Sequence, residues 1–199
     1  MGEIVVVRHG QTEWSTSGQH TGLTDLPLLP GGEDDARRLR PVLGELNITH
    51  AFVSPLTRAR RTAELAGLFD HGIKAEIDPD LVEVDYGRWE GRTTPEIREE
   101  LGHPWSLWVD GTEPGATPGE SLDQVAERVD RVLAKARPLL ADGDVALVAH
   151  GHVLRILTAR WLGLDPDKGA IFPLATGRFG VLGLEHDWPA LIGWNTVSA

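Results

Sequence analysis

Two short runs, Ile4-Val5-Val6-Val7 and Val145-Ala146-Leu147-Val148-Ala149, are apolar at every position and rich in β-branched residues. Such runs are too short for a core helix and lack the alternation of a strand with one wet face. They fit central strands covered on both sides, as in a parallel sheet between helices. Further strands are expected at Ala51–Val53, Phe179–Leu184 and Ala190–Trp194. From Glu120 to about Leu140, Leu122, Val125, Val129, Val132, Leu133 and Ala136 recur at three- and four-residue steps, the stripe of an amphipathic helix. Other helices are expected over Gly32–Leu46, Leu56–Leu68, Thr94–Leu101 and His152–Leu162, with Pro41 kinking or shortening the first. The Gly/Pro/Thr-rich stretch Asp110–Gly119 reads as a loop. The expected fold is α/β, a three-layer α/β/α sandwich around a mostly parallel sheet. No linker-like segment or repeat divides the chain, so residues 1–199 are expected to form a single domain.

Charge and cysteine content narrow the setting. A net charge of -11 opposes nucleic acid and anionic membrane surfaces. It also opposes a small anion at long range, so any phosphate site must be a local cluster of cations. No apolar run approaches the roughly 20 residues that span a bilayer. The start of the chain lacks the basic flank and cleavage site of a signal peptide. The absence of cysteine excludes disulfides and thiolate metal sites and fits a reducing, cytoplasmic compartment.

Three apolar runs end in chemically loaded residues. Arg8-His9-Gly10 follows the first, Ser54-Pro55 with Arg58 one turn on follows the second, and His150-Gly151-His152 follows the third. Ligand sites in open α/β sheets lie beyond the carboxyl ends of the strands, so these groups are expected to converge. Arginine forks match phosphate oxygens bidentately, and a neutral imidazole can take a phosphoryl group covalently. Glycine after each histidine is expected to let backbone approach the ligand. Ser54 before Pro55 resembles a helix N-cap. Taken singly, Arg-His-Gly is a weak signal, and His150 could equally be a hydrogen-bonded histidine under the sheet. His71, His103 and His186 read as solvated, His50 as loop or strand edge, and Arg60 and Arg61 as a solvated helix face.

Jointly the motifs carry a resemblance. Arg8-His9-Gly10-Gln11-Thr12-Glu13-Trp14, Ser54-Pro55-Leu56-Thr57-Arg58-Ala59 and Ala149-His150-Gly151 resemble, in order, the signatures of the histidine phosphatase superfamily, also called phosphoglycerate mutase-like. Leu81-Val82-Glu83-Val84-Asp85-Tyr86-Gly87-Arg88-Trp89-Glu90-Gly91 resembles the segment carrying its acid. The resemblance implies a nucleophile at His9, phosphoryl-holding groups at Arg8, Arg58 and His150, and a general acid then base at Glu83, needing no metal or cofactor. A glutamate suits that role if burial favours its protonated form. Glu90 is expected to pair with and position an arginine. Ser15 stands where many members have a phosphate-holding asparagine. Residues 15–28, 104–111 and 149–155 are similar to a phosphatase branch containing sedoheptulose 1,7-bisphosphatases and acid phosphatases. By that likeness Gln11, Ser15, His20, Thr21, Tyr86, His152 and Arg155 would contact substrate, although His152 and Arg155 could instead cap and solvate a helix. Trp89, Trp105 and Trp108 fit either a substrate mouth or the core.

The implied activity is hydrolysis of a small phosphorylated metabolite such as a sugar phosphate or bisphosphate. A mutase that hands the phosphoryl group back, and a non-catalytic phosphate-binding module, are the alternatives. Mutases of the family usually carry an insertion after the second motif, and only a short link separates Arg58 from Glu83 here, so the site is expected to be more open to water than theirs. A homodimer is possible through Leu26-Pro27-Leu28-Leu29-Pro30 or Trp188–Trp194.

Overall fold

The first strand explains the layering. In the computed structural model, which describes residues 2–196, β1 (Ile4–Arg8) is buried on both faces. Ile4 and Val6 point into one apolar cluster, and Val5 and Val7 into another. Around it lie β2 (Ile48–Val53), β3 (Lys74–Ile77), β4 (Asp144–Ala149), β5 (Phe179–Glu185) and β6 (Trp188–Thr196), in the order β3-β2-β4-β1-β5-β6. The first four are mutually parallel, and β5 runs antiparallel to both neighbours. The helices α2 (Pro30–Leu43) and α3 (Thr57–Leu65) cover one face. α6 (Leu122–Leu139) and α7 (Gly151–Trp161) cover the other, completing the three-layer α/β/α sandwich. Short helices α1 (Glu13–Ser17), α4 (Thr94–Leu101) and α5 (Leu107–Asp110) lie in the connections.

The stripe along α6 is buried at Val125, Val129, Val132, Leu133 and Ala136. Ser121 caps that helix reciprocally with Gln124. α2 runs through Pro41 and ends at Leu43, with Gly44 as its C-cap, rather than at Leu46. β3 was not expected. It is a four-residue edge strand whose Lys74, Glu76 and Ile77 are exposed, so it has no apolar signature. The five-residue α1 and four-residue α5 are too short to show a period. No helix among the described residues is long and apolar enough to cross a membrane.

Register places the chemistry. Arg8 lies opposite Ala149 and Val53 opposite Val148, so β1 and β4 end level and β2 ends one residue short of them. His9 and His150, each the next residue, therefore stand side by side beyond the carboxyl ends of the strands, with Ser54 one residue back and bonded to His150. The segment after β1 is held there by backbone contact with α2. A Cβ on Gly10 would stand 2.1 Å from the Gly32 carbonyl oxygen, and one on Gly32 would stand 2.2 Å from that of Gln11. Gly10→Ala should thus cost about 3 kcal/mol, the upper end for overpacking because main chain cannot rotate away. Urea denaturation reads the loss, and an unchanged midpoint would mean that the two segments separate at little cost.

Candidate active site

His9 is buried, and its Nδ1 lies 2.7 Å from the carbonyl oxygen of Gly10. A carbonyl only accepts, so Nδ1 carries the proton and the Nε2 lone pair is left free. Burial first, then the charges of Arg8 and Arg58, push this imidazole well below its usual pKa. His9 therefore rests neutral, with its nucleophilic nitrogen defined by one hydrogen bond.

A cavity of about 60 Å³ opens beside it, lined by Arg8, His9, Ser15, Gln19, His20, Thr21, Glu83, Tyr86 and His152. That is far below the roughly 300 Å³ at which drug-sized ligand pockets begin, and suits a phosphoryl group rather than a whole metabolite. Aromatic rings crowd this side of the site, His20 packing on Tyr86 and Trp105 at 4.8 and 5.4 Å and Trp108 lying 5.2 Å from His152. A larger groove of about 600 Å³ runs along α3, but its Arg61 is spent on Glu33 and Glu64.

Arg8 donates through Nη1 to the Leu174 carbonyl at 2.5 Å, while its Nε is a buried donor with no partner. An unpartnered buried guanidinium N–H is costly unless a ligand meets it. Gly151 makes room for this group, since a Cβ there would stand 3.1 Å from Arg8 Cζ. The two glycines after the histidines thus serve Gly32 and Arg8, where the sequence suggested ligand approach.

Arg58 and His150 stand behind His9 rather than on the cavity wall. Arg58 is fully buried, donating from Nε to His150 Nδ1 (3.1 Å) and from both Nη atoms to the carbonyls of Thr21, Gly22 and Thr24. Of its five N–H groups one, on Nη1, is left over. Because His150 Nδ1 accepts, Nε2 bears the proton and donates to Ser54 Oγ at 2.7 Å. Burial and then the Arg58 charge keep the His150 ring neutral, well below its usual pKa. The His9 and His150 rings are 5.1 Å apart. Ser54 consequently serves His150 and does not cap α3, whose N-cap is Leu56. Only contacts across the fold reveal this.

Glu83 is buried, and its oxygens accept three main-chain N–H bonds, from Val84 (3.0 Å), His152 (2.9 Å) and Val153 (2.9 Å). The last two belong to the first turn of α7, whose dipole also favours an anion. The expected burial is present, and these donors, which the sequence did not show, hold the carboxyl in place. His152 Nδ1 bonds the Tyr86 hydroxyl at 2.6 Å and lies 3.9 Å from Glu83. Burial and the Glu83 charge push the Tyr86 phenol well above its usual pKa, and burial and Arg155 push His152 well below. Burial takes His20 down to about 4.

Three expected contacts are placed differently. Gln11 is exposed with its amide beside Gly31, so the side chain does not reach the cavity. Ser15 lines the cavity, but its hydroxyl donates to the Thr12 carbonyl and accepts the Thr12 N–H to cap α1. Arg155 is off the wall, stacked 4.5 Å over Trp108 and bonded to the carbonyls of Gly169 and Ala170. Gln19, which no sequence motif marked, reaches the wall because its amide donates to Gly91. Trp89 and Trp105 are core, and His71, His103 and His186 are exposed. His50 is buried within β2.

Residues 4–197 match the family described as histidine phosphatase superfamily (branch 1). An acid phosphatase of Mycobacterium tuberculosis is 39% identical over 185 residues, covering 92% of this chain and 87% of its own. Sedoheptulose 1,7-bisphosphatase of Saccharomyces cerevisiae is 40% identical over 190 residues, covering 82% and 69%. A probable phosphoglycerate mutase of Escherichia fergusonii is 36% identical over 163 residues, covering 81% and 75%. The solved structure of an open reading frame from Mycobacterium tuberculosis superimposes with a TM-score of 0.90 at 35% identity, covering 100% of this chain and 99% of that one.

Four histidines, His9, His20, His150 and His152, have lowered pKa values in the folded chain. Below about pH 6.5 the unfolded chain binds protons there that the folded chain refuses, so stability is complete above that pH and falls beneath it. Chemical denaturation between pH 6 and 5 should lose more than one proton's worth, about 1.4 kcal/mol per pH unit. A flat profile over that unit would contradict the buried neutral rings.

Proposed function

The chain belongs to the histidine phosphatase superfamily and is a phosphatase; from that premise we propose that it hydrolyses a small phosphorylated metabolite through phosphorylation of His9 on Nε2. The observation that carries the reading is the His9 Nδ1–H bond to Gly10, which leaves Nε2 free at a phosphoryl-sized cavity beside the unpartnered Nε of Arg8.

In the first half-reaction Nε2 attacks phosphorus in line, the ester P–O bond breaks, and the departing oxygen takes a proton from Glu83. That proton arrives with the substrate, bound as its monoanion, and three main-chain donors hold the Glu83 carboxyl in place for the transfer. In the second, Glu83 takes a proton from water, the oxygen attacks phosphorus, and the P–N bond breaks to release phosphate and restore neutral His9. Arg8 offers its free N–H to the phosphoryl oxygens, and the buried charge of Arg58 stabilises the negative charge that develops there. These cations supply the charge compensation that a metal ion supplies in other phosphoryl-transfer sites, so the proposal requires no metal or cofactor.

The cavity admits the phosphoryl group, and the rest of the substrate would lie across the neutral rings of His20, Tyr86 and His152. A sugar phosphate or bisphosphate fits this arrangement, as do the names of the bisphosphatase and acid phosphatase relatives. The net charge of -11 speaks against nucleic acid or membrane partners, and the cysteine-free composition suits a cytoplasmic setting. Self-association, if the chain dimerises, would use the edge strand β6 with its exposed Trp188 and Ile192.

His9→Ala should abolish phosphate release while the protein stays folded. Glu83→Gln should slow alkyl phosphates far more than p-nitrophenyl phosphate, whose leaving group needs little protonation. EDTA should leave the rate unchanged and vanadate should inhibit. Equal losses on both substrates would remove Glu83 from the acid role, and strong EDTA sensitivity would overturn the metal-free mechanism. Transfer to 3-phosphoglycerate faster than to water would assign the chain to the mutase reading.

A further inference from the structure

Residues 21–25 cross the site as a strap that is held from three sides. Arg58 donates to its carbonyls, at 3.2 Å for Thr21, 2.9 Å for Gly22 and 2.8 Å for Thr24. On the other side of the same segment, the Glu90 carboxylate accepts the N–H of Gly22 at 3.0 and 2.9 Å and that of Thr24 at 3.1 Å. Asp25 ties the end of the strap to the first turn of α3, accepting the Thr57 N–H at 2.8 Å and its hydroxyl at 2.7 Å. There is no slack at Gly22, where a Cβ would stand 2.4 Å from the Val84 carbonyl and 2.6 Å from Glu90.

Glu90 was expected to pair with an arginine. Among the described residues neither Glu90 nor Arg58 forms an ion pair. One peptide group of the strap, Thr21–Gly22, stands between the two charges, with its N–H on the carboxylate and its C=O on the guanidinium. Each of those bonds is charge-assisted and polarises that peptide in the sense that strengthens the other, while the Gly22 and Thr24 carbonyls and the Thr24 N–H fix its neighbours. The remaining Arg58 bond, from Nε, fixes the ring of His150. Orientation thus passes from Glu90 through the strap to Arg58 and on to His150, and Glu90 itself is not among the residues that line the cavity.

We infer that Glu90 is a positioning residue for phosphoryl transfer, holding the strap whose carbonyls aim the Arg58 guanidinium. The inference rests on the reaction proposed above, in which Arg58 acts on charge that develops in the transition state. Loss of the carboxylate frees two strap N–H groups, lets the carbonyls turn, and moves the guanidinium without removing it. Displacements of about 1 Å in such groups cost on the order of 100-fold.

Steady-state kinetics on Glu90→Gln, with p-nitrophenyl phosphate and with a sugar phosphate, tests this. The expected result is a fall in kcat of roughly 10- to 100-fold with little change in KM, and weaker inhibition by vanadate by a similar factor. Glu90→Asp, which keeps the charge, should recover part of the loss. Wild-type kcat in Glu90→Gln, or a change confined to KM, would overturn the inference. Should Glu90→Gln fail to fold, Asp25→Asn loosens the same strap from its other end and must show the same kcat-specific loss; an unchanged kcat there also overturns it. A wild-type protein that forms no phosphohistidine sinks the underlying reaction, whereas an active wild type matched by its variants sinks the role of Glu90 alone.

Discussion

Two guanidinium groups lie buried against two imidazoles at the edge of the sheet, and their charges dictate the state of everything near them. Burial first, and then the charges of Arg8 and Arg58, keep both His9 and His150 neutral. Neutrality alone leaves the tautomer open. The Gly10 carbonyl settles it for His9, and the Nε–H of Arg58 settles it for His150, with opposite results. One ring keeps a free lone pair facing the cavity, while the other spends both nitrogens on neighbours. Two histidines that look equivalent in sequence, each at a strand end and each before glycine, are thereby given different work.

The carboxylates complete the arrangement at a distance. Glu83, Asp25 and Glu90 offset the buried charge of Arg58 without touching it. Glu83 is anchored by the first turn of α7 and so belongs to the same rigid unit as His150, the N-cap of that helix. Nucleophile, cations and acid therefore hang on strand ends and one helix start, which the register of β1, β2 and β4 holds within one residue of one another. Rigid support of this kind lets a small site stabilise charge without reorganising around it.

Much of this was legible in the sequence, for definite reasons. Continuous apolar runs fitted buried strands best, and the repeated placement of charged or imidazole groups directly after them pointed to a common site at the strand ends. What remained hidden was set by contacts between distant segments. β3 is a polar edge strand and carries no pattern. Ser54 has the spacing of a cap, yet a histidine 96 residues away takes its hydroxyl. Gln11 sits inside a strong motif, but the close backbone contact with α2 turns it outward. Ser15 matches a binding position, and the turn of α1 uses its hydroxyl first. The crowding of His20, Tyr86, Trp105, Trp108 and His152 around the site comes from separate segments that no local pattern brings together. The spacing of Arg58 and His150 was right, but depth cannot be read from spacing, and both lie one layer behind the wall.

The claim at the centre is that a single hydrogen bond to the Gly10 carbonyl decides which nitrogen of His9 meets phosphorus. Rapid quenching in alkali during turnover, followed by peptide mass spectrometry and phosphorus–nitrogen correlation NMR of the trapped protein, locates the phosphoryl group directly. The account predicts an acid-labile phosphoryl group on His9 alone, bonded to Nε2. A phosphoryl group on Nδ1 or on another residue, or turnover with no phosphoenzyme at all, would contradict it.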